Sequence, residues 1–182
     1  MRFLIKAFLV GALLLPLASL NAAPDLRLAV VDVNEVINNI EEGKLAKDNL
    51  EKEKVEKEKA LEGKKSEFQK LKTDYDKQKL ILSQEALMEK QKELQVLAAD
   101  IQNALFAAND ELNKKYNDTL MNLYRKVESV VAKLAKENSY SMVLEKGDGR
   151  GVMYTVDSYD ITKKVIDTYN NVYAAKKGTK KK

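Results

Sequence analysis

The chain has 182 residues, with 32 Lys and Arg against 28 Asp and Glu, and contains no Cys, His or Trp. That composition excludes a disulfide framework, a Cys- or His-based zinc site and a Ser-His or Cys-His nucleophile, leaving only carboxylate or lysine chemistry open. No G-x-x-x-x-G-K-[ST] loop or dinucleotide fingerprint is present either, so the expectation is a protein that is not an enzyme and carries no cofactor.

The first element is a leader. Arg2 and Lys6 flank an apolar run from Ala7 to Leu20, small residues follow in SLNAA, and Pro16 interrupts a core too short to span a bilayer. Residues 1–23 therefore read as a cleavable secretory signal peptide, cut after Ala22 or Ala23, which predicts an exported, periplasmic protein. With Arg2 and Lys6 gone, five of the remaining basic residues lie in the C-terminal Lys176–Lys182 segment, and residues 24–175 carry 25 Lys and Arg against 28 Asp and Glu. The alkaline balance belongs to this tail, predicted to be disordered, and gives no argument for a specific nucleic-acid partner.

LRLAVVDV, Leu26 to Val33, is short, β-branched and apolar on both faces, and predicts a buried strand. Asn34 then offers a cap to a run reaching about Asn138 with no Pro and two Gly, Gly43 and Gly63. A straight helix of that length would measure about 150 Å. The apolar island LILSQEAL, residues 80–87, divides the run near its middle, and Ser83 is a good N-cap for a second helix. The prediction is a helical hairpin over residues 34–138, with arms of about 75 Å and a tip near 80–88.

Along the returning arm Leu94, Leu97, Ile101, Leu105, Ala108, Leu112, Tyr116, Leu120, Leu123, Val127, Val130 and Leu134 predict a nearly straight amphipathic stripe. The outgoing arm offers Leu50, Leu61, Phe68, Leu71 and Tyr75 but interrupts them with Lys47, Lys54, Lys57 and Lys64. Its outer part is expected to fray more readily than its base. At the tip, Leu80, Ile81, Leu82, Leu87 and Met88 have two readings: closure of the turn, or projection toward a bound partner chain.

SYSMVLEK (Ser139–Lys146) and GVMYTV (Gly151–Val156) predict two short strands joined by GDGRG, where Asp148 and Gly149 suit positive φ. A last amphipathic helix is predicted from Thr162 to about Ala175, capped by Asp160 or Thr162. Residues 24–33 and 139–175 thus form a small β-containing base, with Leu28, Val30, Val31, Val33, Met142, Val143, Leu144, Val152 and Tyr154 as its candidate apolar residues. So few strands are unstable alone and apolar on both faces, which calls for further copies of the chain. The fold class is α+β, mostly α: a long antiparallel helical hairpin on a small base.

In its order of elements, in RLAVVDVNEVI near the start and in SYSMVLEKGDGRGVMYTVDSYDITKKVIDTYN near the end, the mature chain resembles the Skp/OmpH family of periplasmic chaperones. The resemblance implies a homotrimer in which the base is the trimerisation element and three hairpins hang from it as tentacles around a cavity. Unfolded outer-membrane proteins would be held there without ATP and kept from aggregating in transit, so the tip residues become candidate client contacts. It further implies lipopolysaccharide as a partner, and the Lys-rich tail could be drawn to that molecule or to an anionic membrane surface. Competing readings are a coiled-coil adaptor of an envelope assembly and a polyanion binder acting through the tail.

Overall fold

The computed structural model describes residues 26–147, 149 and 151–179, the last six as backbone only. The predicted signal peptide, Asp148 of the GDGRG turn and Lys180–Lys182 of the tail lie outside the described residues.

Strand β1 is Leu28–Val31. Its continuation turns at Asp32, whose carboxylate accepts the Glu35 N–H at 2.8 Å and caps helix α1, Val33–Asn39. The cap is therefore Asp32 and not Asn34, which is already inside the helix, and Val33 belongs to α1 rather than to the strand. Asp32 takes this role because it is the residue at which the extended chain turns over, with its backbone still at φ −93°, ψ 100°.

The outgoing path is two helices where the sequence predicts one. Ile40 keeps an extended backbone (φ −67°, ψ 147°) and is fully buried, and helix α2, Glu41–Gln78, starts after it. No side chain of Ile40 can cap α2, so the Glu41 N–H is met from outside by Asn170 Oδ1 at 3.0 Å. Gly43 makes the joint possible: a Cβ there would lie 1.8 Å from the Ile37 carbonyl oxygen. After Lys79–Ser83 the chain returns as helix α3, Gln84–Glu137. Ser83, at φ −66°, ψ 159°, accepts the Ala86 N–H on its hydroxyl at 3.3 Å, so the turn and its cap fall where the sequence predicts. At 38 and 54 residues, α2 and α3 are about 57 and 81 Å long.

Strand β2 is Met142–Glu145, and it pairs parallel to β1 with Leu28 opposite Met142 and Val30 opposite Leu144. The second predicted strand is not formed: residues 152–156 have no regular structure. It does not pair with the far edge of β2, and no place is left on β1. β1 is occupied on one side by β2 and on the other by the segment at Asp160, where the Ile161 N–H meets the Val30 carbonyl at 2.8 Å. Within the chain, Gly151–Val156 therefore finds no neighbour on β1. Helix α4, Thr162–Thr179, continues past the predicted end at Ala175, and Asp160 Oδ1 accepts the Thr162 N–H at 2.9 Å.

The core gathers in the base. Ala29, Val31, Val33, Val36, Ile40, Leu123, Val127, Val130, Leu134, Ile161, Val165 and Tyr169 form one buried cluster, so the end of α3 and all of α1 pack with the sheet and α4. Farther out, Leu61 is the one large apolar side chain among the described arm residues that is buried. The seam there is a row of half-buried positions in which Glu53, Lys57 and Lys64 alternate with Leu50, Phe68, Leu71 and Tyr75. Two ion pairs, Lys57–Glu111 and Lys115–Glu53, bridge the helices where aliphatic contact is missing. The stripe on α3 also departs from prediction: Leu105 and Tyr116 are exposed, and Ala104 takes the inward place beside Leu105.

Candidate functional site

Because β1 and β2 are parallel and in register, Leu28, Val30, Met142 and Leu144 share one sheet face, and Ala29, Val31 and Val143 share the other. The second set packs into the core of the chain. In the first set Met142 and Leu144 are exposed and Leu28 is half-buried, while Val30 is buried. Of the nine candidate base residues, Val31, Val33 and Val143 are thus spent on the internal core. Leu28, Val30, Met142 and Leu144 form the outer face. Val152 is half-buried, and Tyr154 is 84% exposed beside a wholly exposed Met153. Burying the tyrosine and methionine side chains would each be worth about 1.5–3 kcal/mol, which the isolated chain forgoes.

The base carries a compact charge arrangement behind this face. Asp160 forms an ion pair with Lys146 and accepts from Thr162, while Thr162 Oγ1 accepts the Asp32 N–H at 2.9 Å. Burial pushes the Asp160 carboxyl up, but its hydrogen bonds to Lys146 and Thr162 outweigh that and hold it below the usual carboxylate range. The hydrogen bond to Asp160 in turn raises Lys146. Along the arm the bond to Lys57 lowers Glu111, and the reciprocal bond raises Lys57. These groups hold elements together. Among the described residues no group of His, Cys, Asp or Glu is placed to hold a metal ion, and no helix is long and apolar enough to cross a membrane.

At the tip the five predicted residues divide. Leu82 and Leu87 are half-buried and close the turn, which also uses the Ile81 and Leu82 N–H groups on the Gln78 carbonyl at 3.0 and 3.1 Å. Leu80 and Ile81 are 90% and 82% exposed, and Met88 is exposed beside them. One part of the island is therefore structural and the other lies open.

The sequence prediction misses a further exposed series on α3: Val96, Phe106, Met121 and Tyr124 stand out from the helix, in addition to Leu105 and Tyr116. On α2 the large apolar side chains so exposed are Leu45 and Val55. The signal was available in QVLAADIQNALFAAN, Gln95 to Asn109, which has one charge in the middle of a charged arm.

The fold has counterparts in known proteins. The family described as "Outer membrane protein (OmpH-like)" matches residues 27–169. The crystal structure of a Caulobacter crescentus protein described as an outer membrane chaperone (OmpH-like) superposes with a TM-score of 0.75. That match covers 82% of this chain and 88% of the other at 18% identity, a likeness of fold. No curated protein matches the sequence.

Proposed function

Because the chain belongs to the OmpH-like outer membrane protein family, we propose that it is an ATP-independent periplasmic chaperone. It would hold unfolded outer-membrane proteins between its helical arms and keep them from aggregating. The observation that carries this reading is the division of labour between base and arm. The base buries its core and leaves Met142 and Leu144 of one apolar sheet face exposed, while the outer arm has almost no core and exposes apolar side chains along its returning helix and tip.

A partly exposed apolar face on a two-stranded sheet is what further copies of the chain would complete, and three is the number the family resemblance implies. Arms projecting from one assembled base would then surround a shared space. Apolar side chains placed singly along an arm offer a client many weak contacts, each reversible, in keeping with release that needs no nucleotide. Export to the periplasm belongs to the same reading, through the leader at residues 1–23.

The test is a dilution assay. A β-barrel outer-membrane protein denatured in urea is diluted into buffer with and without the chain beginning at Pro24, and turbidity is followed. Suppression at a ratio of three chains per client is expected. Turbidity equal to that of the client alone would overturn the chaperone reading.

A further inference from the structure

Met88, Phe106 and Tyr124 are eighteen residues apart in succession, which is five turns of an α-helix, so the three side chains stand on one line of α3 about 27 Å apart. All three are exposed, Phe106 at 77%. The line lies to one side of the seam with α2, since the buried positions of α3, such as Leu123, Val127, Val130 and Leu134, follow a different face. Between Met88 and Tyr124 it passes Gln95, Ala99, Gln102, Asn113 and Asn117, all exposed, with Lys92 and Asp110 as its charges. At its inner end the Tyr124 hydroxyl reaches the Glu145 carboxylate of β2 at 3.4 Å. No strand among the described residues pairs with the far edge of β2.

We propose that this flank of α3 is the surface on which each arm holds its client, and that it faces the axis around which the copies assemble. The inference rests on the chaperone reading and adds to it which side of the arm does the work. Continuity with β2 is the first support: through Tyr124 and Glu145 the flank starts at the end of the strand whose far edge no other strand pairs among the described residues, so copies that add to that edge would turn their flanks toward a common space.

The chemistry of the flank selects the occupant. Three side chains spread over about 54 Å of helix and separated by polar turns form no contiguous apolar centre of the kind on which a stable interface between folded proteins is built. A second rigid copy is therefore a poor fit along the arm. Lys92 and Asp110 cancel, so the flank lacks the clustered cations that hold an anionic membrane or polyanion. An extended, unfolded chain meets both conditions. Its apolar and aromatic side chains seat on Met88, Phe106 or Tyr124, and its unpaired backbone amides meet Gln95, Gln102, Asn113 and Asn117. Two neighbouring anchors are bridged by about eight residues of extended chain.

A chain without Cys allows single cysteines to be placed and labelled with a photoreactive maleimide. Ala99→Cys and Phe106→Cys mark the flank, and Val55→Cys marks the exposed side of α2 turned away from α3. With a urea-denatured β-barrel outer-membrane protein as probe, the flank positions should crosslink at least fivefold more client than Val55→Cys. Phe106→Asp should weaken client binding about tenfold, with Val55→Asp close to wild type. Equal crosslinking from both helices, or equal binding by both Asp variants, overturns the assignment of the flank while the chaperone reading stands. Crosslinks from none of the positions, with client precipitating beside the unlabelled chain, overturn the chaperone reading itself.

Discussion

Tyr169 donates its hydroxyl to the Glu42 carboxylate at 2.6 Å, tying the last helix to the first turn of the outgoing arm. Glu42 also accepts from Lys126 Nζ at 2.5 Å, and Lys126 lies 5.4 Å from the Tyr173 ring centroid. Three helices, α2, α3 and α4, thus meet at one carboxylate where the arm leaves the base. Burial, followed by the bond to Glu42, pushes the Tyr169 hydroxyl well above its usual value, so it stays a neutral donor. Tyr169→Phe should lower stability by about 1–2 kcal/mol in urea unfolding at fixed protein concentration. Lys126 keeps Glu42 paired, so the larger penalty of an orphaned buried charge is not incurred. An unchanged urea midpoint would show that the hydroxyl contributes nothing beyond its packing.

The two glycines of α2 should respond in opposite directions to the same change. At Gly43 an added methyl would collide with the Ile37 carbonyl, a backbone atom that cannot swing aside, so Gly43→Ala should cost about 3 kcal/mol and open the angle between α1 and α2. Around Gly63 nothing lies within 4 Å, and Gly63→Ala should stabilise the arm by about 0.5–1 kcal/mol. Thermal melts of both variants check the pair. A neutral Gly43→Ala would mean that the close approach at the joint is not maintained.

Ser139 is a serine in a conformation that favours glycine. It follows the α3 C-cap at φ 55°, and the Tyr140 N–H to Ala135 carbonyl bond at 2.9 Å completes the helix end around it. Ser139→Gly should raise stability by about 1 kcal/mol by removing the left-handed penalty. Ser139→Val should lower it by more. Identical melting temperatures for all three would contradict the strain.

Much of this architecture could be read in the chain because its signals are local. Ser83 caps α3 from within four residues, and the stripe from Leu123 to Leu134 repeats at helical spacing. What escaped prediction depends on distant partners. Gly151–Val156 carries apolar residues suited to a strand, yet a strand exists only when it pairs, and this segment pairs neither with β1, held by the Asp160 segment, nor with the far edge of β2. The parallel pairing of Leu28 with Met142 joins residues more than a hundred positions apart, and nothing near either one announces it. The break at Ile40 depends on a pocket built by α3 and α4 and on Asn170, far along the chain. Along α3, helical spacing could not tell Leu105 from Ala104 as the inward residue, because both satisfy the stripe. At the tip the composition was legible, but the division between Leu82 and Leu87 on one side and Leu80 and Ile81 on the other required the turn itself.

The Lys146–Asp160 pair sets a pH window for the base. Asp160 is held below its usual range, so its contribution is fully present above about pH 4 and is lost as pH falls through its folded-state value. Lys146 is raised by the same contact, so its contribution is full below about pH 10 and is lost as pH rises above that. Asp160→Asn should cost about 1 kcal/mol at pH 7, and the gap between variant and wild type should close in the acid range. Chemical unfolding from pH 2 to pH 8 measures it. A gap of constant size across that range would show that the carboxylate does not act through its charge.

The most direct test of the central claim is the mass of the complex formed when a urea-denatured outer-membrane β-barrel protein is diluted into an excess of the processed chain. Size-exclusion chromatography with light scattering should find three copies of the chain without client and three copies with one client after mixing. A chain that remains monomeric at micromolar concentration, with the client recovered only as precipitate, would contradict both the completed base and the chaperone it is proposed to support.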